Sequence, residues 1–337
     1  MSLEILEVEF QPPKFLIDHF YVTGVIGMVT NVFMSYLLIV KGKKLETFRY
    51  FLLSYQVFCA VGDVYLSILM QPVGLFPITA GYSYGVLSSW FSVPVDIQMT
   101  LLSLLASLQV NSLNICFIRK YRAISDMSNR FRLPTLVYQI SVGALGCYPI
   151  LFSGAFFFSS IPKEEQFVVI QNKYPYLEQK FRSLPDFQLY VMNFWMSAYF
   201  FLAMFGCFQS GATIGISVLQ MIRTLHEVKS LISKATWNKH KVAVRNLVIQ
   251  FQVTLVGILP AVSIAFVVLI PTKHSQVISY YLTMIVTLHS TCNVAVMLLT
   301  YPELRKHAVF WTKKEATTLS VSVTNQSNSI NKARSIS

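Results

Sequence analysis

Asp63 lies in VFCAVGDVYLSILMQPVGLFP (57–77), a stretch whose other residues carry no charge. A carboxylate in such a setting is costly unless it is protonated, paired or turned toward other polar groups. Asn31 and Asn293 occupy similar depths in two other apolar runs, so Asp63, Asn31 and Asn293 form a candidate buried polar network. The chemistry open to them is the making and remaking of hydrogen bonds. The chain contains no H-E-x-x-H, no phosphate-cradling glycine loop and no G-x-S-x-G, so no enzymatic constellation is present. Its histidines (His19, His226, His240, His274, His289 and His307) are scattered over separate segments, and no metal or cofactor is expected. His289 shares a helix face with Asn293 four residues on, which favours hydrogen-bonded packing over metal ligation.

The elements that must position these residues follow from the charges. Asp, Glu, Lys and Arg are absent from 19–40, 64–95, 97–118, 133–162, 187–222, 246–272 and 274–302. About 20 such residues cross a bilayer core as a helix. The runs lack the in/out alternation of barrel strands. Pro72, Gly74, Pro77, Gly81, Gly85 and Pro94 break the region 50–118 into two helices. The expected architecture is an all-α bundle of seven spans, at about 18–40, 49–71, 88–118, 133–159, 188–222, 246–270 and 277–300. Residues 1–17 precede it, an amphipathic helix is expected at 302–311, and a Ser/Thr/Asn-rich disordered tail at 312–337. The first span is expected to act as the signal anchor, since the acidic residues 1–17 lack a basic n-region.

One alternate set of connecting segments holds 21 of the 27 Lys and Arg, and the other holds six. The positive-inside rule then places the N-terminus outside and the C-terminus inside. The net charge of +12 reflects this topology and the anionic inner leaflet, with no nucleic-acid partner. All five cysteines fall in or at the ends of spans, so no outer disulfide is expected; the single N-x-S/T sequon, at Asn325, lies in the inner tail. The G-x-x-x-G at 211–215 reads as close packing inside the bundle. The segment 160–187 is long enough to fold over the bundle mouth, and 223–245 suits an inward extension of the fifth span. Asp63 sits about 20 Å from the inner end of its span, near mid-membrane. Depth alone nominates Gln71, Asp96, Gln98, Trp195, Tyr199, Tyr280 and Tyr281 as outer-half pocket residues, with Asp96 at the rim.

NVFMSYLLI followed by AVGD in the next span resembles the first two helices of rhodopsin-like receptors. FRYFLLSYQVFCAVGDVYLSILMQPVGLFPITAGYSYG (48–85), IRKYRAI (118–124) and VMLLTYPELRK (296–306) resemble the nematode serpentine chemoreceptors of class I, and are similar to their class H relatives. The resemblance covers nearly the whole chain. It implies a G-protein-coupled receptor that detects an environmental small molecule, in the plasma membrane of sensory cilia, with a heterotrimeric G protein as partner. The basic residues Arg119, Lys120, Arg122, Lys229 and Lys234, together with Lys239 and Lys241, are then expected to form the coupling face. Three departures stand out. Ile118 precedes Arg119 where an acidic residue is usual, no cysteines exist for the customary disulfide, and the seventh span ends in TYP. The alternative is a transporter or ligand-gated channel, disfavoured because the chain has no repeated half.

The charge split sets the first prediction. A tag placed before Met1 is labelled on intact cells, whereas one after Ser337 is labelled only after permeabilisation. The reverse pattern would remove the receptor topology.

Overall fold

The computed structural model describes residues 8–128, 133–270, 272–302 and 304–307. Seven helices are long and apolar enough to cross a membrane: Lys14–Lys41, Phe48–Met70, Val95–Ser125, Thr135–Phe157, Phe194–Ser230, Lys234–Ile264 and Ser275–Thr300, hereafter spans one to seven. With an odd number of spans the first and last described residues lie on opposite faces. Spans one and two each finish in a π-helical turn, at Leu37–Lys41 and Tyr65–Met70. Pro149 and Pro260 lie inside the helices of spans four and six.

Apolar packing falls into two clusters. One, toward the C-terminal face, joins Met34, Leu52, Tyr55, Phe117, Met221, Leu247 and Met297 from six spans. The other, toward the N-terminal face, joins Leu16, Phe20 and Tyr280 to loop residues such as Val73, Leu75, Phe181 and Leu189. Polar bonds between helices occupy the intervening layer and its margins. Span three donates from Asn111 Nδ2 to Leu145 O at 2.6 Å in span four, and from Asn114 Nδ2 to Ser210 Oγ at 2.9 Å in span five. Its Gln109 meets His289 Nδ1 of span seven at 3.1 Å, while Tyr55 of span two meets Thr254 of span six at 2.8 Å. Bonds of this kind average about 0.6 kcal/mol in a bilayer, so their sum and their directionality matter more than any one of them.

The inward extension expected of span five in 223–245 is present to Ser230, as α-helix to Glu227 and a 3-10 turn at Val228–Ser230, while span six already starts at Lys234. The 34-residue helix of span five is about 51 Å long at 1.5 Å per residue, well beyond a hydrocarbon core of about 30 Å. The G-x-x-x-G of span five does not serve packing within the bundle. A Cβ on Gly211 or Gly215 would meet nothing within 4 Å. Close approaches between spans lie elsewhere, at Gly24 and Gly27 of span one, Gly206 of span five and Gly257 of span six. A Cβ on Gly27 would overlap the carboxyl group of Asp63.

The N-terminal face carries a cap that includes β-structure unforeseen in the helical reading. β1 (Pro72–Gly74) and β2 (Ala80–Ser83) form a hairpin, and β3 (Gln188–Leu189) pairs with the other side of β2. Two helices, Lys163–Lys173 and Glu178–Arg182, lead into β3. Gln166, fully buried, accepts the Leu189 N–H at 2.9 Å and donates to Gln188 Oε1 at 3.0 Å. The N-terminal segment is tied down by reciprocal bonds between the Glu9 backbone and the Gln276 side chain, at 3.0 and 2.7 Å. All five cysteines are free. The cap is fastened to span three by a carboxylate: Asp186 Oδ2 accepts the N–H of Val95, the first residue of that helix, at 2.8 Å. Asp186 Oδ1 pairs with Lys163 Nζ at 2.6 Å. A negative oxygen at a helix N-terminus satisfies an orphan donor and favours the helix dipole.

Asp186→Ala is therefore expected to loosen the cap by about 1 kcal/mol, the usual value of a lost helix cap. Hydrogen exchange should rise in 163–189 and at the start of span three, while spans two and seven keep their protection near Asn293. Unchanged exchange in the cap would mean that Asp186 does not fasten it.

Candidate functional site

Asn31 is the hub of the polar layer between the two apolar clusters. It is 1% exposed, and its Nδ2 reaches Asp63 Oδ2 at 3.4 Å. Ser290 Oγ lies 2.7 Å from Asn31 Nδ2 and 2.9 Å from Oδ1. Gln56 Nε2 donates to Asn31 Oδ1 at 2.5 Å. Asn293 joins through Gln56: its Nδ2 donates to Gln56 Oε1 at 3.3 Å, and its Oδ1 is buried without a partner. The structure thus brings Asp63, Asn31 and Asn293 into one network, with Asn293 one link removed from the carboxylate. Sequence reasoning missed Gln56 and Ser290. Gln56 stands two helical turns before Asp63, and Ser290 one turn before Asn293, so both positions were open to a face-by-face reading.

Asp63 itself is 6% exposed and, among the described residues, holds only the long bond to Asn31. The glycine at position 27 gives its carboxyl group room beside span one. A buried carboxyl with so few donors is not locked in place, and several arrangements of protons and partners lie within a few kcal/mol. Nearby, His289 packs against Gly257 and its Nε2 has no partner.

On the C-terminal face, the ends of spans two, three and six, with Tyr301 and Pro302, enclose a cavity of about 1060 Å³. Arg119, Lys120, Arg122, Lys239 and His240 are among its lining residues, as is Glu46 from the turn before span two. Arg119 leans away toward spans two and four, 4.8 Å from the Phe51 ring centre and with Nη1 3.3 Å from Tyr138 Oη. Arg122 lies over Tyr138 at 4.3 Å. Lys120 is the buried cation of this set, 9% exposed with its ammonium 5.2 Å from the Phe48 ring centre. Glu46 pairs with Lys239 at 3.0 Å across the mouth, and the hydrogen bond from Lys239 holds the Glu46 carboxyl below its ordinary value. Lys229 and Lys234 do not line the cavity. Lys229 instead sits 5.7 Å from the Trp237 ring centre, Lys241 lies 4.9 Å from it, and Lys234 opens the helix of span six.

The residues nominated by depth separate into two groups. Gln71, Gln98 and Tyr280 are buried under the cap, and each retains a side-chain oxygen without a partner among the described residues. Gln98 donates to Val93 O at 2.7 Å and Ser88 Oγ at 2.9 Å. Tyr199 stacks on Phe152 at 4.6 Å, and Asp96 sits at the first turn of span three. Trp195 and Tyr281 belong to the outer wall instead. They are 42% and 56% exposed, packed on Phe158 and Phe15 respectively, so neither lines the bundle interior. Depth along a helix does not fix rotation about it, which is why these two were misplaced. Of the amphipathic helix expected at 302–311, residue 303 and residues 308–311 lie outside the described residues, as does the tail; Leu304 is buried in the apolar cluster while Arg305 and Lys306 are exposed.

Seven spans, a polar layer across the bundle and a basic cavity at one end define a rhodopsin-like seven-transmembrane receptor fold. Squid rhodopsin, a crystal structure, superposes with a TM-score of 0.58 at 12% identity, covering 88% of this chain and 85% of that one. The family model of the serpentine type 7TM GPCR chemoreceptor Sri matches residues 6–308, and the chain belongs to that family. No curated protein sequence matches it.

The hub geometry orders the effects of mutation. Asn31→Leu strands Gln56, Ser290 and Asp63, whereas Asn293→Leu strands only Gln56, at about 1–3 kcal/mol for each buried group left unsatisfied. Thermal denaturation in detergent should therefore rank Asn31→Leu as the less stable by a clear margin. Equal melting temperatures would show that Asn31 is not the hub.

Proposed function

We propose that this receptor detects an environmental small molecule from the half of the bundle beneath the cap and activates a heterotrimeric G protein at the opposite face. The observation that carries the reading is the basic cavity between spans two, three, six and seven. The N-terminal face is read as outside the cell, and the cavity as cytosolic, from the distribution of Lys and Arg. The polar atoms without partners at Gln71, Gln98 and Tyr280 supply hydrogen-bonding capacity for a ligand.

Ligand binding shifts an equilibrium between two packings of the spans. Asp63 and its neighbours make that equilibrium possible, because a sparsely bonded buried carboxyl can exchange partners as spans one, two and seven move. Arg119, Lys120 and Arg122 form the coupling face with the start of span six. The plasma membrane of sensory cilia is the site of action.

The test is a ligand screen by calcium imaging in cells expressing the chain with a promiscuous Gα subunit. The expected outcome is a saturable response to at least one small molecule, lost in Asp63→Asn although that variant still reaches the surface. A ligand-evoked current that persists when G proteins are blocked would favour a channel and overturn this reading.

A further inference from the structure

Arg119 and Arg122 border the basic cavity, yet their planar groups lie on aromatic rings at the crevice between spans two and four. Span three forms the back of that crevice. Both arginines are half-buried, and neither forms an ion pair among the described residues. Arg119 bridges the crevice, 4.8 Å from the Phe51 ring centre in span two and 5.7 Å from that of Tyr138 in span four. A guanidinium laid flat on a ring keeps its edge N–H groups for another acceptor. Tyr138 Oη accepts from Arg119 at 3.3 Å, which leaves its own hydrogen to donate. Phe51 and Tyr138 each stand one turn in from Phe48 and Thr135, where their spans start, so the donors sit at headgroup height. Beside Tyr138, Leu136, Val137 and Ile140 are exposed, as residues facing lipid are. Gly146 lies about 12 Å further along span four and about 80° round the helix from Tyr138. Tyr148, which donates to Leu202 O of span five, lies about as far round the other way, so Gly146 opens on the side of span two. A Cβ on Gly146 would meet nothing within 4 Å.

We infer that Arg119, Arg122 and Tyr138 hold the phosphate of an anionic phospholipid, one of whose acyl chains runs along span four past Gly146. The occupant has to be negative, has to accept several hydrogen bonds at once, and has to continue into apolar surroundings. A soluble phosphate or an acidic peptide meets the first two requirements and fails the third. A phosphodiester on a diacylglycerol meets all three, and the paired N–H edges of arginine match its oxygens. Neither arginine has a carboxylate paired with it that could receive a choline or ethanolamine cation, so a headgroup of net negative charge is preferred. With the C-terminal face cytosolic, as the distribution of Lys and Arg indicates, the lipid belongs to the anionic inner leaflet. The site depends on no ligand and no G protein, and a channel of the same fold would carry it equally.

The experiment places the full chain in phosphatidylcholine nanodiscs doped with phosphatidylglycerol that carries a diazirine on one acyl chain. A parallel set carries the same diazirine on phosphatidylcholine at equal mole fraction. After irradiation, peptide mass spectrometry should find the phosphatidylglycerol label concentrated on span four around Gly146, several-fold above the phosphatidylcholine label. Arg119→Gln with Arg122→Gln should cut that labelling by about tenfold, and Arg119→Lys with Arg122→Lys should keep most of it. Lys229→Gln with Lys241→Gln removes as much charge from the same face and should leave the labelling unchanged. Equal labelling by the two lipids, label spread evenly over the spans, or equal losses in the two glutamine pairs would overturn the site. So would inorganic phosphate that displaces the lipid, since it would show a site for free anions. Should the Arg119→Gln, Arg122→Gln chain fail to fold, the position of the label and its headgroup preference in the parent chain decide the matter. No readout involves ligand or G protein, so a chain that never signals can still show the lipid site, and a signalling chain can lack it.

Discussion

Inside a bilayer a polar side chain has no water to fall back on, so each one must find its partner within the protein. The arrangement around Asn31 follows from that constraint. One amide group collects Ser290, Gln56 and Asp63, and through Gln56 it reaches Asn293. The hydrophobic effect does not drive helix association in lipid, so these directional bonds help to select which helices lie side by side and at what height. Gly27 completes the arrangement, because any larger residue there would occupy the space of the Asp63 carboxyl group.

The two ends of the bundle are built on different principles. The N-terminal end is closed by a small sheet, two short helices and an apolar cluster that includes Leu75, Phe181 and Leu189. At the C-terminal end, the apolar packing stops below an open, charge-lined cavity. The capped end is tied by sheet and helix contacts, whereas the open end has a charge-lined cavity and a buried cation, Lys120, between its helix ends, where local separation costs least.

The number of spans was legible because charge-free runs of about 20 residues have one common physical meaning. That Asp63 lies well inside a span was legible for the same reason, and the grouping with Asn31 and Asn293 was read from depth. Rotation was not legible. Trp195 and Tyr281 stand at the right height and on the wrong side of their helices, and Gly211 and Gly215 point away from the neighbours they were expected to meet. Gln56 and Ser290 escaped notice because neutral polar residues do not interrupt a hydropathy pattern. The β-hairpin at 72–83 lies in a stretch rich in Pro and Gly, which marks a turn without revealing the pairing that β3 later completes.

The fastening of the cap has a consequence for how the protein is made. With every thiol free, closure of the N-terminal face depends on the Asp186 contacts, the sheet and the buried Gln166. Each of these forms and breaks without any covalent step. Closing the cap then requires no disulfide to form. The contacts that close the cap are therefore the same whether its surroundings are oxidising or reducing.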